Sequence, residues 1–188
     1  MSSLPLNPSM GKNAHIWSGA KIIYPENVTV GDESVIDDFA FLLASGKGIK
    51  IGKFCHITAH CTLNSGGLIE IGDFSAIAWG GVIIATTDDY NGGGFIGLKV
   101  LNKYRNTVYK DVKIGRHVHI GARSVIMPGV ELGDGCSIGA GSVVTRSMPE
   151  WAVCYGSPCS VKKTKSRDKQ LQMEEEFLKE YYGGKKWE

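Results

Sequence analysis

Two histidines and one acidic pair are the groups of this sequence best suited to moving a proton near neutral pH. His56 and His119 each stand immediately before an isoleucine, Ile57 and Ile120, and the pair Asp88-Asp89 opens the stretch Asp88-Asp89-Tyr90-Asn91-Gly92-Gly93-Gly94. Imidazole titrates close to pH 7 and serves as a general base, while a carboxylate can orient an acceptor and take up its proton. Each has a plainer reading beside it. Aspartate and asparagine are common turn residues, and a histidine at a chain corner can do no more than satisfy its own hydrogen bonds. The five cysteines are odd in number and show no C-x-x-C spacing, which argues against both a disulfide framework and a zinc site.

The elements that must carry these groups follow from a six-residue period. Across 114–149 an aliphatic residue recurs at every sixth place, Ile114, Ile120, Ile126, Leu132, Ile138 and Val144, and a small or β-branched residue recurs four places after each of the first five. Earlier triplets repeat the pattern: Val30, Ile36 and Leu42; Ile51, Ile57 and Leu63; Ile71, Ile77 and Ile83. Three hexads make one coil, and a chain wound in such coils stacks its aliphatic residues into continuous interior columns. Glycine follows the column residue at 31, 52, 72, 115, 121, 133 and 139, where the reading expects it to supply turn conformations. Cys55, Cys61 and Cys136 fall on the small-residue phase and read as packing residues, whereas Cys154 and Cys159 lie past the last coil.

His56 and His119 then share one column, with Ala76 and Ser137 at its other two positions. Strands spaced about 4.8 Å apart put the two rings on the order of 10 Å from each other. His60 and His117 stand on the third residue after a column position and read as covering a face, and His15 precedes the coils. Between Ile83 and Ile114 the period fails, and a break longer than about 15 residues in a compact domain is usually functional or disordered. This one carries tyrosines, Phe95, the acidic pair and Arg105, and reads as a loop folded over something. Downstream, Leu171, Met173, Phe177, Leu178 and Tyr181 fit an amphipathic helix over 166–182, stopped at Gly183-Gly184.

Composition narrows the class. Glycine is 25 of 188 residues, about twice the usual share of roughly 7%, yet six prolines and the absence of a Gly-X-Y period exclude collagen. Basic and acidic residues balance at 13 each over 1–160, and the excess of two positive charges lies in the carboxyl-terminal 28 residues, where both signs mix. A pI of 8.2 arising that way is no basis for nucleic-acid binding, for which about 9 or more is expected. No apolar run approaches the roughly 18 residues of a membrane span, and the amino-terminal stretch lacks a signal-peptide pattern, so the expected location is the cytoplasm.

The hexad series resembles the hexapeptide-repeat acyltransferases, over roughly residues 28–162. The resemblance implies an all-β fold, a left-handed parallel β-helix with a long inserted loop and a short C-terminal α-helix. It makes 1–188 one acyltransferase domain, with coils from about 14 to 162 and the loop at 86–111. It further implies acetyl-CoA as co-substrate, no metal, and a homotrimer whose sites lie between subunits, walled in part by the loop. The segment Gly156-Ser157-Pro158 followed by Lys162 and Lys163 resembles the family's closing motif. Carried over, the resemblance sets the CoA along Gly121, Ala122, Gly139 and Ala140, and then Pro158, with Lys162 and Lys163 toward its phosphates. The alternative for the two lysines is the start of a solvated tail.

One departure bears on the acceptor. Many O-acetyltransferases of this superfamily carry a histidine in a run like Ala-Thr-His where the coil enters the loop, and this chain reads Ala85-Thr86-Thr87-Asp88 instead. The His56-Ile57 pair and the Thr-Asp-Asp-Tyr-Asn-Gly stretch are similar to a subgroup that N-acetylates nucleotide-linked amino-deoxysugars for surface polysaccharide, O-antigen or capsule. An amine needs less activation than a hydroxyl, which suits the missing histidine. The resulting assignment has His56, Asp88 and Asp89 in catalysis, and Tyr90, Asn91, His119 and Arg105 toward the acceptor. Direct attack on the thioester is expected, since no cysteine is placed to carry the acyl group. The alternatives are O-acetylation of a sugar or polysaccharide and, more remotely, a metal-binding trimer like the γ-carbonic anhydrases.

Overall fold

The computed structural model describes residues 7–183, so residues 1–6 of the amino-terminal stretch and Gly184 of the helix stop lie outside the described residues. Strands of two to six residues form three stacks. The first sheet holds Ser9–Met10, Val28–Val30, Ile49–Ile51, Ile69–Ile71, Val112–Ile114 and Glu131–Leu132. The second holds His15–Ile16, Val35–Ile36, His56–Ile57, Ala76–Ile77, His119–Ile120, Ser137–Ile138, Ala152–Gly156 and Cys159–Thr164. Lys21–Ile23, Phe41–Gly46, Thr62–Gly66, Val82–Ile84, Val125–Ile126 and Val143–Val144 make the third. The chain visits the three in turn, and every pairing between coils is parallel; within these three sheets of the described residues, only Cys159–Thr164 turns back antiparallel on its neighbour. The molecule is the parallel β-helix that the hexads imply.

The pairing register shows why the period is six. Ile36, Ile57, Ile77, Ile120 and Ile138 are direct partners up the second sheet, and Val30, Ile51, Ile71, Ile114 and Leu132 up the first. Leu42, Leu63, Ile83, Ile126 and Val144 complete the third column, and all fifteen are 3% exposed or less. Burying each such side chain contributes roughly 1.5–3 kcal/mol, so the columns are the main apolar driving force. Met10, Ile16 and Ile22 extend the period to one earlier coil, less covered because it is the end of the stack. The long loop leaves the register untouched, since Ile71 pairs with Ile114 and Ile83 with Ile126 across it.

The column glycines are not there for turn conformations. None of Gly31, Gly52, Gly72, Gly115, Gly121, Gly133 and Gly139 has a positive φ. A Cβ added at Gly72 would lie 2.7 Å from the Gly115 carbonyl carbon, and one at Gly52 2.4 Å from an Asp73 carboxylate oxygen. Glycine is required because the next coil comes into contact there, through its backbone at Gly72 and through a carboxylate at Gly52. The left-handed corner falls two places later, and non-glycine residues occupy much of it: Glu33, Phe54, Phe74 and His117 at one edge of the prism, Phe39, His60 and Arg123 at another, with φ between 54° and 64°.

Those corners project aromatic side chains in ladders. Phe54, Phe74 and His117 stack at 4.8 and 5.1 Å, the spacing of the coils themselves. The C-terminal helix, Asp168–Tyr182, lies on this ladder through Phe177 and Tyr181, edge-on to Phe54 at 5.2 and 5.3 Å. Its Glu174 carboxylate binds Arg116 and sits 2.8 Å from His117 Nε2, and the Tyr181 hydroxyl donates to Glu33. His117 is thereby a buried anchor for the helix.

Candidate active site

The outer face of the second sheet carries the two singled-out histidines. Ala76 pairs with His56 on one side and His119 on the other, so both rings project outward, two strands apart. His56 is half exposed, and its Nε2 lies 2.9 Å from Asp37 Oδ1. Asp37 was not among the residues singled out from the sequence, although the register contains it. It stands two places beyond Val35, the direct partner of His56, and is therefore its diagonal neighbour on the same face. His119 is exposed, next to Ser137, whose hydroxyl accepts from Lys165 Nζ at 2.9 Å.

The acidic pair divides its work. The loop opens as a two-residue antiparallel ladder, Thr86–Thr87 against Val108–Tyr109. Within it the Asp89 carboxylate accepts from the Asn91 and Gly93 amides at 2.8 and 2.9 Å and from the Asn106 side chain at 3.0 Å. These bonds, the Asn91 amide first, hold Asp89 below the ordinary aspartate value. Asp88 accepts from the Thr107 hydroxyl at 3.2 Å, and its Oδ1 lies 3.6 Å from the Arg105 guanidinium. Arg105 is largely buried and its Nε has no hydrogen-bond partner. Tyr90 and Asn91 are exposed just past this ladder, the Tyr90 hydroxyl accepting from Thr87. Asp111 pins the loop's exit to the coil through the Leu68 amide and Lys47, at 2.8 and 3.0 Å.

Two surfaces are uncovered. In the loop, Phe95, Ile96, Leu98 and Leu101 are each at least 65% exposed. At the corner between the second and third sheets Trp17, Phe39 and Trp79 are half to two-thirds exposed, Phe39 stacks on His60 at 5.2 Å, and Asp37 and Asp38 line the same groove.

Toward the carboxyl end, Gly121 and Gly139 face the next coil: a Cβ added at Gly121 would lie 2.5 Å from the Ala140 amide nitrogen, and one at Gly139 2.8 Å from Tyr155 Cβ. Their missing side chains serve the stack, leaving Ala122, half-buried, and Ala140, exposed, as the outward small residues. A cis Ser157–Pro158 bond joins Ala152–Gly156 to Cys159–Thr164. Lys162 and Lys163 lie in this second strand, both exposed, Lys163 opposite Val153 and Lys162 Nζ 5.1 Å over the Tyr155 ring. Among the described residues no group of three or more His, Cys, Asp or Glu side chains is arranged to hold a metal ion.

Within the chain these parts stand on different elements. The loop leaves the third sheet at Ala85, His56 projects from the second sheet, and among the described residues no hydrogen bond or ion pair joins His56 to Asp88 or Asp89.

A β-helix stacked in hexads, interrupted by one long loop that carries an acidic pair, is the fold of the hexapeptide-repeat transferases, and comparison with known proteins gives the same class. The model of the bacterial transferase hexapeptide (six repeats) matches residues 111–146. Over 170 residues the chain is 32% identical to the dTDP-4-amino-4,6-dideoxy-D-glucose acyltransferase of Escherichia coli, covering 90% of this chain and 88% of that protein. AntD, an N-acyltransferase from Bacillus cereus solved with dTDP and 3-hydroxybutyryl-CoA, superposes with a TM-score of 0.88 at 35% identity, over 94% of this chain and 93% of its own. The galactoside O-acetyltransferase of Escherichia coli (strain K12) is 32% identical over 142 residues, 75% of this chain and 66% of that protein. The chain belongs to the hexapeptide-repeat acyltransferases, and is an acyl-CoA-dependent transferase.

Proposed function

We propose that this enzyme N-acylates an amino-deoxysugar carried on a nucleotide, most simply a dTDP-linked 4-amino-4,6-dideoxyhexose, by direct attack of the sugar amine on the thioester of acetyl-CoA. The observation that carries the reading is near full-length kinship with two acyltransferases, one named for that sugar nucleotide and one solved with dTDP and an acyl-CoA. The loop agrees with it: Thr87-Asp88 stands where an O-acetyltransferase would carry its histidine, and a carboxylate suits an amine.

In this reading Asp88 orients the amine, His56 takes its proton, and Asp89 shapes the loop that presents Asp88, Tyr90 and Asn91. Arg105 steadies Asp88, and His119 lines the wall of the acceptor site. The CoA lies along Ala122 and Ala140 beside Gly121 and Gly139, past Pro158, with Lys162 and Lys163 as point charges for its phosphates. Each site is completed between copies of a homotrimer, the loop of one subunit reaching the second sheet of the next. The uncovered loop apolars and the uncovered aromatic corner support this, because a head-to-tail contact in a closed ring buries both at once. The product would enter surface polysaccharide synthesis in the cytoplasm.

The test is a steady-state assay with acetyl-CoA and a panel of acceptors, the product weighed by mass spectrometry. An amide on dTDP-4-amino-4,6-dideoxyglucose or a related amino-sugar nucleotide is expected. Turnover confined to hydroxyl acceptors such as galactosides would overturn the reading in favour of O-acetylation.

A further inference from the structure

Asp37 stands on the second-sheet face at a place where neither the repeat nor the core requires a carboxylate. It occupies the place after the column residue Ile36 that Thr58 fills after Ile57, Ala78 after Ile77 and Gly121 after Ile120, so no common backbone role calls for a carboxylate there. Its Oδ1 lies 2.9 Å from His56 Nε2. The residues paired with His56 across the sheet, Val35 and Ala76, are apolar, and His119 is the next titratable group in that column. Asp37 is also three-quarters covered, whereas the imidazole it holds is half open to solvent.

A carboxylate only accepts hydrogen bonds, so the contact fixes which ring nitrogen carries the proton. With Nε2–H pointing at Asp37, the neutral ring keeps its lone pair on Nδ1. We propose that Asp37 is a positioning residue for this acyltransferase, locking His56 in the Nε2-protonated tautomer so that Nδ1 is the atom that receives the proton of the attacking amine. The inference rests on the role given to His56 in the proposed function. The balance is simple. The amine nitrogen forms the new C–N bond at the thioester carbonyl, its proton passes to Nδ1, the C–S bond breaks, and the same proton leaves His56 for the departing sulfur, giving amide and free thiol. While the ring is doubly protonated, the Asp37 carboxylate stabilises it, as the buried aspartate does in triad enzymes.

The experiment uses the full-length protein selectively labelled with 15N-histidine. In the neutral form the His56 ring is expected to show a fully protonated Nε2 and an unprotonated Nδ1, whereas Asp37→Ala should relax it to the mixture of tautomers of free histidine, with a measurable Nδ1-protonated share. In the acyl-transfer assay Asp37→Asn should lower kcat about tenfold or more while leaving KM for acetyl-CoA unchanged, Asp37→Glu should restore part of the loss, and the double variant with His56→Gln should be no slower than His56→Gln alone. A wild-type rate in Asp37→Asn, additive losses in the double variant, or a neutral ring protonated on Nδ1 would each overturn the assignment. A protein with the expected tautomer that acylates no amino-sugar nucleotide would instead overturn the functional reading on which it rests.

Discussion

At the scale of single residues the structure separates groups that can react from groups that only pack. All five cysteines are 2% exposed or less. Burial pushes the Cys55 thiol up to about 11 and that of Cys136 up to about 12, the second helped by its neighbour Cys154. Cys154 proves to be the partner of Ile138, so it extends the interior column although the hexad pattern has already ended there. A thiol that is both covered and protonated is a poor nucleophile. The native protein at pH 8 should therefore leave a chromogenic disulfide reagent unreacted, and all five thiols should titrate only after denaturation; rapid reaction of one thiol in the native state would reopen a covalent acyl-enzyme. The acidic pair differs in the same way. Asp88→Asn should cut kcat at least about tenfold with the loop intact, because a carboxamide can orient an amine but not attract its charge. Asp89→Asn should act through the loop, raising hydrogen exchange at Asn91 and Gly93 as well as slowing turnover.

At the scale of the element, two kinds of corner position call for opposite substitutions. Gly72→Ala brings a Cβ within 2.7 Å of the Gly115 carbonyl carbon and 2.8 Å of the Arg116 amide, neither of which can move without parting the coils. The expected loss is about 1–3 kcal/mol in a denaturant titration. Arg123, exposed and at φ 56°, is a place where glycine is tolerated, and Arg123→Gly should fall between neutral and about 1 kcal/mol more stable. Equal losses at the two sites would show that the clash with the next coil is not what selects glycine. The loop has its own signature. Because Asp89 is held below its ordinary value of 3.8, the order it gives is present above that pH and goes as pH falls through the lower folded value. Protection of the Asn91 and Gly93 amides should thus survive from neutral pH to below 3.8. These elements also show how far the sequence could be read. The columns were legible because a side chain every six residues has one destination, the interior. The glycines were legible as a period, but their cause was not, since a coil-to-coil contact is made with residues one coil away, Gly115 in the case of Gly72. Asp37 was hidden for the same reason: its link to His56 spans 19 residues and appears only when coils are laid side by side.

At the scale of the whole molecule, the candidate residues stand on different faces of the prism and two apolar surfaces are bare, which agrees with the proposal that sites are completed between copies. If each site joins the loop of one copy to the second sheet of the next, a copy carrying Asp88→Asn still offers a sound His56 face, and a copy carrying His56→Gln still offers a sound loop. Each variant alone should be slow. Unfolded together in equal amounts and refolded, the two assort into mixed rings, and a sound loop meets a sound face at random in about one contact of four, so roughly a quarter of wild-type activity should return. Sites contained within one chain would regain nothing, because every chain in the mixture carries a lesion. If the proposed homotrimer forms through these two bare surfaces, Trp79→Ser and Leu98→Ser should each raise the monomer fraction in light scattering while the far-ultraviolet spectrum stays that of a β-helix. Retention of a trimer in both, with mixing still restoring activity, would mean that the contact exists but lies elsewhere on the prism.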